Sequence, residues 1–320
     1  MNDSMGLEQR LPSHNGISRR QVITGAAGIA AGVVLGATGD RLLFHPHDVV
    51  TPQPTQEIPT IENNAAPIEL ELNAKGLLTD RDWTGIDNEV SRSIDSGNAM
   101  VLLRLKAGIN SLDPQRGKDI RITDAAWNEA KANLSELAGS DTNSSDFAFV
   151  ARFMKEASPE RADDIVDIIE GQKTRTVGFL NAILASNNTE DRVFEETELS
   201  PFLDDLVAVY PEIAYKIYKN NQARIASKLA VLEAFHNNDH EAEVGLLGTA
   251  NNVFPGMVNE IVVSKEDKEK VEQGAKKWVE DFRSQGMYDF VLYSAQGIKT
   301  LQDSLKKQPP VSVSPTPQAV

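Results

Sequence analysis

Residues 264–307 read SKEDKEKVEQGAKKWVEDFRSQGMYDFVLYSAQGIKTLQDSLKK, and this stretch decides the fold. Ser264 and Asp267 stand three apart ahead of an apolar-periodic run, which is the spacing of a capping box. Val271, Trp278 and Phe282 then recur at helical steps, and a second stripe of Val291, Ile298 and Leu305 follows. The period predicts a pair of helices rather than strands, because a strand would alternate every second residue.

The same grammar extends towards the N-terminus. Thr79 and Asp82 repeat the capping-box spacing. Trp127, Ala130, Leu134 and Leu137 step by three and four behind a Thr123 cap, and Phe147, Val150 and Met154 repeat the step. Ser158-Pro159 and Ser200-Pro201 each place a cap residue before a proline at the first helical position. The first pair is expected to start a helix with Ile165, Ile169, Phe179 and Ile183 near one side. The second is expected to start the longest run, with Leu203, Val207, Tyr210, Ala214, Ile217, Ile225, Leu229 and Leu232 as its stripe. Pro211 should kink or split that run. A strand competes only at Ala99 to Leu105 and at Glu260 to Val263. The expected fold is therefore all-α, a multi-helix bundle or irregular helical array over residues 69–307, with Trp83, Trp127 and Trp278 in its core. The two Ser-Pro pairs, each followed by an acidic pair (Asp163-Asp164 and Asp204-Asp205), suggest a faint repeat, most of which shared helix-start chemistry explains.

Prolines bracket this region. Pro46, Pro52, Pro54, Pro59 and Pro67 mark residues 45–68 as a linker, and Pro309, Pro310, Pro315 and Pro317 give residues 308–320 the same character. Both arms are expected to be extended and disordered.

The chain has 320 residues, 40% hydrophobic and 25% charged, which is ordinary for a globular protein. Its net charge of −15 argues against nucleic acid as a partner, because phosphate binding requires clustered Lys and Arg. It equally argues against docking of the folded domain on an anionic lipid surface. The chain contains no cysteine and five histidines, so disulfides, thiol catalysis, iron–sulfur clusters and zinc–thiolate sites are excluded. His14, His45 and His47 fall outside the predicted fold. No cofactor is expected.

Ser18-Arg19-Arg20-Gln21-Val22-Ile23-Thr24 precedes an uncharged run to Thr38 that is diluted by Gly25, Gly28, Gly32 and Gly36. This resembles a twin-arginine export signal. Ser18, Arg19 and Arg20 match the family pattern, Val22 and Ile23 stand where Phe and Leu are usual, and Thr24 replaces the common Lys. The resemblance implies recognition by the twin-arginine translocase, passage across the cytoplasmic membrane in the folded state, and an extracytoplasmic address. A plain membrane anchor over residues 1–44 is the other reading, since Leu42, Leu43 and Phe44 extend the apolar run towards the length a spanning helix needs. Either way, contact with the membrane is through the N-terminal segment only.

Three constellations carry conceivable chemistry. His236 and His240, with Glu233, share a face if the helix continues, and two imidazoles and a carboxylate suit a divalent metal. Asn237 and Asn238 instead suggest a helix end there. Asp163-Asp164-Ile165-Val166-Asp167 is similar to the Asp-Asp-x-x-Asp magnesium motif of the all-α prenyltransferases and terpene synthases. No second aspartate-rich motif occurs, though, and acids in a first helical turn are expected from the dipole. His45-Pro46-His47 lies in the linker. No nucleophile elbow or phosphate loop is present. These observations favour a non-enzymatic, exported and tethered helical domain that binds or scaffolds another envelope component. The alternative is an extracytoplasmic metal-dependent enzyme or metal-binding protein using His236, His240 and neighbouring carboxylates.

Overall fold

Side-chain oxygens start helices where the sequence offers them. Thr79 accepts from the Asp82 amide while the Asp82 carboxylate accepts from the Thr79 amide, and Ser264 and Asp267 form the same reciprocal pair. The Thr123 hydroxyl accepts from the Ala126 amide at 3.2 Å. Each bond satisfies an amide that the first helical turn leaves without a partner.

A computed structural model describes residues 69–139, 144–185, 196–237 and 239–311, which all belong to one compact unit. Every regular element among them is helical, and the fold is all-α. In chain order the α-helices are α1 (Asp80–Asp95), α2 (Ala99–Leu112), α3 (Pro114–Asp119), α4 (Asp124–Gly139), α5 (Ser144–Ala157), α6 (Val166–Ala185), α7 (Glu196–Val209), α8 (Ala214–Tyr218), α9 (Asn221–Asn237), α10 (His240–Val253), α11 (Val258–Ile261), α12 (Lys265–Ser284) and α13 (Tyr288–Ser304). No helix among the described residues is long and apolar enough to cross a membrane.

The core has two centres that share α13. α10 packs on α7, α9, α12 and α13, while α2 packs on α1, α3, α5 and α13. Trp127, Leu134, Phe147, Met154, Val271, Trp278, Val291 and Ile298 are buried as their spacing predicts, and so is Trp83. α2 is helical although a strand competed there. It buries Met100, Leu102, Leu103, Leu105 and Ile109 on different sides, and a helix buried all round has no amphipathic period to read. The second contested stretch contributes Glu260 and Ile261 to α11.

Four expectations are corrected. The first concerns Ser200-Pro201, which lies inside α7 because that helix starts a turn earlier, at Glu196. Leu199 joins Phe202, Leu203 and Leu206 in the core, and burying that extra turn offsets the one backbone hydrogen bond Pro201 cannot make. Ser158-Pro159 opens a 3-10 helix, Pro159–Ile165, and the Ser158 side chain caps nothing. The two Ser-Pro sites therefore differ in local structure, and they are not copies of one unit.

The long stripe is the largest correction. The chain breaks after Val209 and again after Tyr218, and each break resets the helical phase. Ile225, Leu229 and Leu232 are consequently exposed, at 40%, 49% and 42%. The buried face of α9 is instead Ala223, Ser227, Ala230, Val231 and Ala234, small residues that let α9 lie close to α7 and α10. Last, Leu305 is exposed because α13 ends at Ser304, and Leu301 fills the core position.

Candidate functional site

α2 and α3 meet at a tight corner. Asp113 caps α3 by accepting from the Arg116 amide, with Pro114 at the first helical position. Across this corner lies the Asn110 side chain, whose amide donates to the carbonyls of Glu156 and Ala157 at 2.9 and 3.1 Å. Those carbonyls belong to the last turn of α5, which has no helical amide to offer them. Gly117 makes this possible, because a Cβ there would sit 1.8 Å from Asn110 Oδ1. On the opposite side of α2, Gly108 lets α13 approach; a Cβ would lie 3.1 Å from Leu292 and 3.3 Å from Gln296 Oε1. The corner, the end of α5 and one face of α13 thereby enclose a cleft of about 750 Å³.

Charge is distributed unevenly in this cleft. Its lining includes Lys106, Lys118, Arg152 and Lys299 against Glu156, Glu160 and Asp303, a positive balance in a strongly acidic chain. Arg152 is fully engaged, with Glu156 at 2.8 Å, Asp204 at 2.5 Å and Asp205 at 3.0 Å. Burial opposes the Arg152 charge, but Asp204, Glu156 and Asp205 outweigh it and hold its pKa well above the ordinary value. Asn252 donates to Asp204 behind it, and the Lys307 ammonium donates to the Asn252 carbonyl at 3.1 Å. Lys299 is held by Asp303. Among the described residues Lys118 reaches only Gln115, at 3.5 Å.

Lys106 differs from all of these. Its side chain is 8% exposed, and it makes no hydrogen bond or ion pair among the described residues. Every other charged side chain this buried has a partner: Asp82 with Arg283, Asp204 and Asp205 with Arg152, and Glu243 with Lys270. The Lys106 nitrogen, though without a partner among the described residues, is not fully enclosed, and the residue lines the cleft. Burial lowers its pKa from the ordinary 10.5, and the charge of Glu160 only opposes that shift.

The residues expected to carry chemistry lie elsewhere. Glu233 and His236 are exposed near the end of α9. α9 stops at Asn237, and His240 begins α10, so the two rings never share a helical turn. His240 Nδ1 lies 3.3 Å from Glu243 Oε2. Lys270 Nζ stands 3.1 Å from the other Glu243 oxygen as an ion pair without hydrogen-bond alignment. No group of three His, Asp or Glu is arranged to hold a metal among the described residues. Asp163 and Asp164 are exposed on the 3-10 helix and Asp167 is exposed on α6, so no single regular turn gathers them. Ser18, Arg19, Arg20, Val22, Ile23, His14, His45 and His47 lie outside the described residues, as do the linker and residues 312–320. Lys106 was missed, and its one sequence signal is a lysine within a helix that is apolar on all sides. No family model, curated protein or solved structure matches the chain.

Proposed function

We propose that the protein is an exported helical binding domain, tethered through its N-terminal segment, that takes a small organic carboxylate in the cleft between α2, α3, α5 and α13. The observation that carries this reading is the unpartnered, nearly buried Lys106. An ammonium removed from bulk water without an opposite charge is costly, and a ligand carboxylate supplies that charge. Lys118, at the same cleft, is the second cation free to meet it. A phosphate dianion fits less well, because bidentate phosphate recognition draws on arginine forks and the Arg152 fork is already filled by three carboxylates.

The motif around Arg19 and Arg20 supports the export half of the proposal. Replacing both by Lys and fractionating cells checks it; unchanged export of the double variant would leave only the generic anchor. For the ligand, thermal unfolding is followed with acetate, succinate and inorganic phosphate at equal ionic strength. A ligand at a hundred times its Kd stabilises by about 2.7 kcal/mol. Acetate or succinate is expected to raise the Tm of the wild type and to leave Lys106→Met unmoved. Equal shifts in both proteins, or no shift with either carboxylate, would overturn the proposal.

A further inference from the structure

We propose that Lys106 also forms a covalent bond with its ligand, its Nζ condensing with the carbonyl carbon of a small keto or aldehyde acid to give an imine. This inference rests on the carboxylate reading of the cleft. It adds a second functional group to the ligand and an activity to the lysine.

Imine formation requires a neutral amine, an accessible lone pair, and a group that moves protons. Lys106 has no hydrogen bond or ion pair among the described residues to occupy its nitrogen, and it lines the cleft. Desolvation depresses its pKa, so more of it is neutral near pH 7 than the ordinary value of 10.5 would give; Lys265, whose side chain is 88% exposed, serves as the reference lysine. Glu160 lines the same cleft, and its charge acts on Lys106 from beyond ion-pair distance. Lys118 remains to hold the carboxylate once Lys106 is consumed, and the Gln296 side chain, which makes no hydrogen bond among the described residues, adds a donor.

The step balances without any other reactant. The nitrogen lone pair attacks the carbonyl carbon, the C–N bond forms, and the carbonyl π electrons move to oxygen. The C–O bond then breaks and oxygen leaves as water, carrying both protons that the nitrogen gives up. Glu160 relays those protons. Neither partner is oxidised or reduced, and hydrolysis returns the free lysine.

Reductive trapping tests the inference. The full-length protein is incubated at pH 7 with glyoxylate and sodium cyanoborohydride, and carboxymethyl-lysine is located by peptide mass spectrometry. A lowered pKa leaves more of the amine neutral and able to attack, so Lys106 is expected to label measurably faster than Lys265. Acetate should slow Lys106 labelling and leave Lys265 unaffected. Lys106→Arg keeps the cation but cannot form the imine, so it is expected to lose the adduct and keep stabilisation by acetate. Labelling of wild-type Lys106 no faster than Lys265 would overturn the inference, and this comparison needs no variant to fold. If acetate still stabilised the wild type in that case, the binding proposal would survive; if it did not, both would fall.

Discussion

Replacing Lys106 by Met should make the protein more stable. Methionine keeps most of the apolar stem and removes the charge. A buried polar group left without a partner costs about 1–3 kcal/mol. Lys106 lines an open cleft rather than a sealed core, which places the gain in the lower half of that range, at about 1–2 kcal/mol. For a fold of this size each kcal/mol moves Tm by roughly 2–4 °C. The sign with pH follows from the lowered pKa. Below the folded pKa the penalty is fully present, because the unfolded chain binds the proton more readily. It fades as pH rises towards the unfolded value near 10.5, above which neither state is charged. Urea unfolding followed by circular dichroism, at pH 7 and again near pH 10.5, measures the difference between wild type and variant. Lys118→Met is the control and should stay within about 0.5 kcal/mol, as for other exposed positions. A Lys106→Met protein less stable than wild type by 1 kcal/mol or more would refute the reasoning, because it would mean that the ammonium is already satisfied in the folded protein.

Leu229→Ser should change stability by no more than about 0.5 kcal/mol, the range for surface sites, whereas truncating a core leucine costs about 2–5 kcal/mol; chemical denaturation separates the two. Glu241 is half-buried, and its pKa is raised from 4.5 to about 7 by burial, with the Asp239 charge adding to it. Folding therefore favours its protonated form, and its contribution is full below pH 4.5 and lost as pH rises through 7. At 1.36 kcal/mol per unit the upper bound is about 3 kcal/mol, reduced to about 1–2 kcal/mol by partial exposure. Glu241→Gln should accordingly gain stability relative to wild type between pH 5 and pH 8, and a difference that stays flat with pH in urea titrations would sink this assignment.

The helix starts were legible because capping is local. Thr79, Thr123 and Ser264 need only residues three positions away, and no distant contact changes that geometry. The stripes of α4, α5 and α12, and that of α13 as far as Ile298, were legible for the same reason, since each lies within one unbroken helix. Sequence reading failed where the outcome depended on the rest of the fold. The phase of α9 was inferred by carrying a stripe through Pro211, yet two chain breaks intervene before Asn221 and reverse which side faces the core. Burial of Leu199 decided that Pro201 would lie inside a helix. The cleft was illegible for a further reason. Lys106, Arg152, Glu160 and Gln296 come from distant parts of the chain, and no spacing rule connects them. The histidine pair looked more like a site because its members were neighbours in sequence, and the end of α9 separates them.

The cleft's walls and its vacant charge belong to one arrangement. Asn110 fastens the α2–α3 corner to the last turn of α5, and Arg152 fastens α5 to α7 through Asp204 and Asp205. Asn252 and Lys307 extend that fastening to α10 and to the residues after α13. Each of these groups is consumed by the protein itself, so none needs to reorganise when a ligand arrives, and a site held rigid by its supporting contacts loses little entropy on binding. An incoming carboxylate would have to displace one of three acids to reach Arg152. At Lys106 it displaces nothing but water. The same ion pairs that make Arg152 unavailable therefore direct the ligand to the lysine. Weakening them, as in Asp204→Asn, should loosen the cleft wall and lower carboxylate affinity even though Asp204 is buried behind the site.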